Sequence, residues 1–221
     1  MNYQAWIEIL SSQLIANSAL NSITSLNPVV REILFQSKNE QTFSGILSQD
    51  LNQKFKTDGI QVMTEVKGVA VPKLSGKYGR NSHDLALLDE KGKIRFTLEN
   101  KVWYHFDGSK GLKAIINPNV IKNLEDDIKK IKVTQKVHPG KGFLLLNIVT
   151  PAVFDKYESE HKTVLNRVNG ELAKYKSECL EGFADALKSY SELQNLTHVH
   201  FQADKNDLEQ GFLDIFCAEI S

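Results

Sequence analysis

Asp84, Glu99 and Lys101 are the residues whose types and spacing most readily do chemistry. They lie in one stretch, His83–Lys101, HDLALLDEKGKIRFTLENK. A run of Leu85, Ala86, Leu87 and Leu88 leads into Asp89-Glu90-Lys91-Gly92, and Ile94, Phe96 and Leu98 then alternate with polar residues. Alternation at a period of two predicts a strand, and the turn residues between the runs predict a hairpin. A two-residue turn at Lys91-Gly92 sets Glu90 against Lys93 and, in register, Asp84 opposite Glu99. Lys101 shares the face of Glu99, while Ile94, Phe96 and Leu98 point the other way. Facing carboxylates repel. A divalent cation converts that repulsion into coordination, and the lysine beside it can hold an attacking water or an anion.

The pattern D-(x)n-E-x-K in SHDLALLD and FTLENKVW resembles the PD-(D/E)XK phosphodiesterase superfamily, which includes many restriction endonucleases. The likeness covers residues 37–150, with His83 where the name of the superfamily has Pro. It implies a restriction endonuclease-like core, in which a helix precedes three strands and another helix precedes the fourth. It implies Mg²⁺, with Mn²⁺ able to substitute, as cofactor. Asp84 and Glu99 are then the metal ligands and Lys101 acts on the water or the phosphate. The implied activity is cleavage of DNA, and a homodimer is implied if both strands of a palindromic site are cut. A non-catalytic nucleic-acid or protein-binding module of the same fold, and a structure-selective or RNA-directed nuclease, are the alternatives. The plain structural alternative is a hairpin with charged residues on its wet face, which leaves Asp84 in an apolar strand without a purpose.

In the superfamily a Glu on the helix before the first core strand often reaches the metal centre. Glu40, in NEQTFSGILSQDL, is the matching candidate. Ser37-Lys38-Asn39-Glu40 also fits an S-x-x-E capping box, in which Glu40 only bonds backbone, and the two readings stand side by side. Asn123 in IKNLEDDIKKI falls where relatives carry a Gln, and a solvated helix position explains it as well.

The chain has no net charge, but its charges are unevenly placed. Residues 66–154 hold 16 Lys and Arg against 8 Asp and Glu, while residues 155–221 hold 7 against 13. Lys73, Lys77 and Arg80 lie in one acid-free segment, and Lys129 and Lys130 begin another. Basic segments around an acidic centre suit a polyanion whose phosphate must reach a metal. Two solvated lysine-rich loops are the bland reading of the same runs.

Composition sets the frame for these residues. A length of 221 residues, 41% hydrophobic and 24% charged, predicts a globular domain able to bury a sizeable core. No apolar run approaches the ~18 residues of a membrane span. MNYQAWIEILSSQL lacks the basic and apolar regions of a secretory leader, so the chain reads as cytoplasmic. Cys179 and Cys217 sit in apolar segments and read as buried thiols rather than a disulfide or metal pair.

The elements that must position the site follow from periodicity. Helices are expected at residues 3–20, from Asn27-Pro28, from about residue 40 to Phe55, at 119–132 and at 171–193. Strands are expected at Gly59–Val66, in the hairpin, at Gly142–Val149, at His198–Gln202 and at Phe212–Ala218. GFLLLNIV is nearly all apolar, as a central strand covered on both faces should be. The result is one α/β domain with a mixed central sheet flanked by helices. Residues 1–38 form an N-terminal helical extension, 39–150 the catalytic core, and 151–221 the C-terminal helix and late strands.

Trp103, in the aromatic run 103–106, is expected to pack as core rather than stack on a base. His198 and His200, two apart on a strand, could share a metal, although no acid lies at ligand spacing in sequence. His83 and His105 flank the hairpin without a spacing that assigns either a role.

Overall fold

The computed structural model describes residues 9–35, 40–55, 60–66, 82–104, 118–150, 172–202 and 212–221. The helices are α1 (Ser12–Thr24), α2 (Pro28–Phe35), α3 (Glu40–Phe55), α4 (Pro118–Val137) and α5 (Leu172–Ser189). The strands are β1 (Gln61–Val66), β2 (His83–Leu88), β3 (Ile94–Tyr104), β4 (Lys141–Thr150), β5 (Leu193–Gln202) and β6 (Phe212–Ile220). The strands form one six-stranded mixed sheet in the order β1-β2-β3-β4-β6-β5. β3 and β4 run parallel, with α4 in the connection between them, and the other neighbours are antiparallel.

Local chemistry sets the helix starts. The Leu14 N–H donates to Ser11 Oγ at 3.2 Å, capping α1. This helix covers the later part of the span 3–20 that periodicity suggested; Ile9 is helical as well, and residues 3–8 lie outside the described residues. The Val29 N–H donates to Asn27 Oδ1 at 2.9 Å, with Pro28 in the first turn of α2 as expected. Ser37 and the rest of the capping box before Glu40 lie outside the described residues.

Two apolar layers hold the sheet. Residues from α1 and α3, such as Ile15, Ile23, Phe43, Leu47 and Phe55, pack on one face against Leu85, Leu87, Phe96, Leu98, Phe143 and Leu145. On the other face, Leu124, Ile128 and Ile131 of α4 and Phe183 and Leu187 of α5 cover Leu144, Leu146, Ile148 and Phe216. β4 therefore feeds both layers, as its near-continuous hydrophobicity predicted. Trp103 stacks on Phe183 with centroids 5.9 Å apart, a core role. The Cys217 thiol is free and buried.

α4 sits close to the sheet because Gly142 lets it. A Cβ on Gly142 would stand 2.1 Å from Ile131 Cγ2. This contact fixes the height of α4 above β3 and β4, and so the reach of its polar side chains.

The hairpin reaches the expected register by an unexpected route. Residues 89–93 form the turn. The Asp89 N–H donates to the Lys93 carbonyl, and Asp89 Oδ1 accepts the Lys91 and Lys93 N–H groups at 2.9 Å each. Gly92 takes φ +71°, a conformation glycine adopts without steric cost. This loop is longer than two residues and pairs Leu88 with Ile94. A bulge at Arg95 then absorbs one residue, restoring Leu87↔Phe96 and Leu85↔Leu98. The bulge also changes the side on which Ile94 lies. Ile94 packs with Leu88 and Val133 of α4, not with Phe96 and Leu98.

Candidate active site

The β2–β3 ladder stops at Leu85↔Leu98, while β3 runs on to Tyr104. Two side-chain carboxylates take over the open edge. The Asn100 N–H donates to Asp84 Oδ2 at 2.8 Å, and the Val102 N–H donates to the Glu40 carboxylate. Alternate N–H groups of a strand face the same neighbour. Asp84 and Glu40 thus stand along the line a continued β2 would have occupied.

Opposite Asp84, Glu65 takes φ +46° in β1, and β1–β2 pairing skips from Thr64↔Leu85 to Val66↔His83. The side-chain alternation of β2 breaks there. Asp84 turns toward α3 and lines a polar cavity of about 410 Å³ with Gln41, Ser44, Thr64 and Glu65. His83 turns toward α4, bonding Thr134 Oγ1 at 2.7 Å. The expectation that Asp84 and Glu99 share one face is corrected accordingly: His83, not Asp84, is the β2 side chain that touches Glu99. The cause is the irregular backbone at Glu65, which no local sequence signal announced.

Glu99 is fully buried on the α4 side. Lys130 Nζ lies 2.7 Å from each of its carboxylate oxygens, and His83 Nδ1 lies 2.5 Å from Oε1. Thr134 Oγ1 also lies 3.1 Å from the Lys130 carbonyl. A neutral His83 donates through one ring nitrogen and accepts through the other, so its tautomer decides which of Glu99 and Thr134 receives its proton. Burial disfavours the charged form of both groups. It pushes Glu99 up to about 8 against the pull of Lys130, and it holds His83 down at about 4, with Lys130 adding to the effect.

Lys101 lies between helices. Its Nζ is 3.5 Å from Glu40 Oε2 and 3.4 Å from Asp127 Oδ2. Burial works against its charge, but Asp127, Glu40, Asp84 and Glu99 together hold the ammonium above the usual lysine range. Burial raises Asp127 to about 7 and, against Lys101, raises Glu40 as well. Asp127 Oδ2 is buried and accepts no hydrogen bond.

The structure thus gathers Glu40, Asp84, Glu99 and Lys101 at one end of the β2–β3 ladder. It adds Asp127, His83 and Lys130, and it anchors them through Asn100. Asn100 Nδ2 donates to the Glu40 carbonyl at 3.2 Å and to Ser44 Oγ at 3.0 Å, and Asn100 Oδ1 accepts from Asn147 Nδ2 at 2.7 Å. Asp127 was legible in principle. It falls within the buried Leu124–Ile128–Ile131 stripe of α4, where a carboxylate needs a reason. Asn147 within GFLLLNIV was a similar signal.

The remaining expected residues are dispersed. Asn123 is exposed on α4. Lys129 is exposed and pairs with Glu125 at 3.9 Å. Lys130 is turned to Glu99. Lys73, Lys77, Arg80 and His105 lie outside the described residues. His198 and His200 both turn to the buried Asp214 Oδ1 of β6, at 3.0 and 2.7 Å. That partner is adjacent in the sheet but 14 residues on from His200, so spacing did not reveal it.

Oxygen donors of this kind suit a hard divalent cation. Four carboxylates face two lysine ammonium groups, and the buried Asp127 Oδ2 remains without a hydrogen bond. In this conformation no three His, Cys, Asp or Glu side chains among the described residues converge closely enough to hold a metal. Glu99 is engaged by Lys130 and His83 instead. No family model, no curated protein and no solved structure matches this chain. Among the described residues no helix is long and apolar enough to cross a membrane.

Proposed function

We propose that this chain is a Mg²⁺-dependent phosphodiesterase that cleaves DNA, similar to the restriction endonucleases of the PD-(D/E)XK superfamily. One observation carries the reading: the acidic side chains of Glu40, Asp84 and Glu99 gather with Lys101 where β2 leaves β3. The order α3, antiparallel β1–β2–β3, α4 and parallel β4 supports it, because it is the order of a restriction endonuclease-like core.

Asp84 and Glu99 would hold the metal, with Glu40 beside them. The metal would acidify a bound water and stabilise charge on the phosphate. The chain's own contribution is positional. Lys101, kept protonated by its acidic neighbours, directs an ammonium at the attacking water or the developing charge. Asn100 ties the first turn of α3 to β3, fixing Glu40 relative to Lys101. Mn²⁺ would substitute, since the donors are the same.

A second reading has its own observation. The Lys130 and His83 contacts fill Glu99, and an arrangement so satisfied suits a module that binds nucleic acid without cutting it. Incubation of plasmid DNA, single-stranded DNA and RNA with Mg²⁺ or EDTA separates the two. Metal-dependent cleavage that disappears in Asp84→Ala is the expected outcome. Binding without cleavage under any metal would sink the enzymatic reading.

A further inference from the structure

The carboxylate that would have to receive a metal already holds a cation. Lys130 Nζ sits 2.7 Å from both Glu99 oxygens, where a divalent ion would bind the same lone pairs. The two cations cannot share that place. Another acceptor lies within reach of the lysine. Asp127 is three residues earlier on α4, a spacing that brings side chains together on a helix. Its Oδ2 is buried without a hydrogen bond, with Lys101 at 3.4 Å.

We propose that Lys130 is a built-in competitor for the divalent cation: its ammonium occupies Glu99 in the metal-free protein and moves to Asp127 when metal binds. The proposal rests on the reading of Glu99 as a metal ligand. It explains how four carboxylates are kept together without metal. It also separates the two lysines by role. Lys101 faces the reaction, whereas Lys130 is a positioning residue that sets how much metal the site needs. Removing its charge should tighten metal binding, although it takes an ion pair away from the folded protein.

Thermal melting of the full chain after EDTA treatment, followed against Mn²⁺ concentration, tests this without reference to activity. The proteins are wild type, Lys130→Met, Lys130→Gln and Glu99→Gln. Gln keeps a donor for Glu99, so one neutral variant remains informative if Met folds poorly. Removing one charged hydrogen bond corresponds to about tenfold or more in affinity. Both neutral variants should therefore reach half of their Tm rise at a Mn²⁺ concentration lower by that factor, and Glu99→Gln should respond weakly. A wild-type midpoint in both Lys130 variants, with no response in Glu99→Gln, overturns the competition and leaves the metal reading intact. No response in any of the four proteins overturns both.

Discussion

At the scale of single residues, Lys101 and Glu99 differ in what their removal should do. Lys101 is charged, and its ion-pair partners are acids of the cluster itself, Glu40 and Asp127. If it acts in the transition state, Lys101→Ala should bind DNA in Ca²⁺ with near wild-type affinity. Its single-turnover cleavage in Mg²⁺ should fall ~10²–10³-fold, the usual effect of deleting one such group. Wild-type cleavage by Lys101→Ala would remove the motif assignment. Glu99 instead reports through pH. Burial holds Glu99 at about 8 and Asp127 at about 7, above their ordinary values of 4.5 and 3.8. The folded protein therefore keeps protons that the unfolded chain releases. That stabilisation is complete below about pH 4 and disappears as pH rises through 7 to 8. His83 acts oppositely at lower pH. It is held at about 4, so its contribution is present above 6.5 and disappears on acidification. Between pH 6.5 and 8 only the carboxyl effect of these three groups remains. The Tm of the metal-free protein should fall over that interval, and Glu99→Gln should flatten the fall. Equal slopes in the two proteins would show that Glu99 does not titrate there.

At the scale of elements, the hairpin shows what sequence can and cannot carry. The apolar alternation of Leu85, Leu87, Phe96 and Leu98 sets the register because one face has to enter the α1/α3 layer. The turn itself differs from the two-residue form that Lys91-Gly92 suggests. Asp89 organises it by accepting two N–H groups and the Arg95 guanidinium, and a bulge compensates the longer loop. Two shifts of one residue cancel, and only Ile94 shows the difference. Asp84, Glu99 and Lys101 were legible because they lie on the two strands of one hairpin, just past the end of its ladder at Leu85↔Leu98. Asp127, Lys130, Asn100 and Asn147 join through the packing of α3 and α4, which no local pattern encodes. Gly142 is where that packing is most exposed to test. Its Cβ would lie 2.1 Å from Ile131 Cγ2, so Gly142→Ala must lift α4 or move Ile131. Overpacking of this kind costs about 1–3 kcal/mol. Because Asp127 and Lys130 ride on α4, the variant should also shift the metal concentration needed for thermal stabilisation. Urea unfolding and Mn²⁺-dependent melting measure the two effects. Wild-type values in both would mean that α4 tolerates displacement without consequence for the site.

At the scale of the whole molecule, zero net charge conceals an uneven distribution of charge along the chain. The basic span 66–154 supplies β2, β3, α4 and β4, which carry or flank the candidate site. The acidic span 155–221 supplies α5, β5 and β6 at the opposite end of the sheet order. The candidate centre itself is rich in acidic side chains, so if the proposed function holds, DNA is bound by lysines and arginines outside it. Lys130 cannot serve while it pairs with Glu99, which leaves Lys73, Lys77, Arg80 and Lys129 as the candidates for phosphate binding. Binding in Ca²⁺ should weaken steeply with salt, because each neutralised phosphate releases condensed counterion. Reversing Lys77 and Arg80 to Glu should weaken binding by a similar factor on unrelated DNA sequences. It should make the slope of log affinity against log salt shallower by roughly 2, about 0.9 for each phosphate that is no longer neutralised. The metal-dependent Tm rise should be unaffected, since neither residue belongs to the carboxylate cluster. Filter binding across a salt series, with melting as the control for folding, measures all three. An unchanged slope in the double variant would mean that those two side chains neutralise no phosphate.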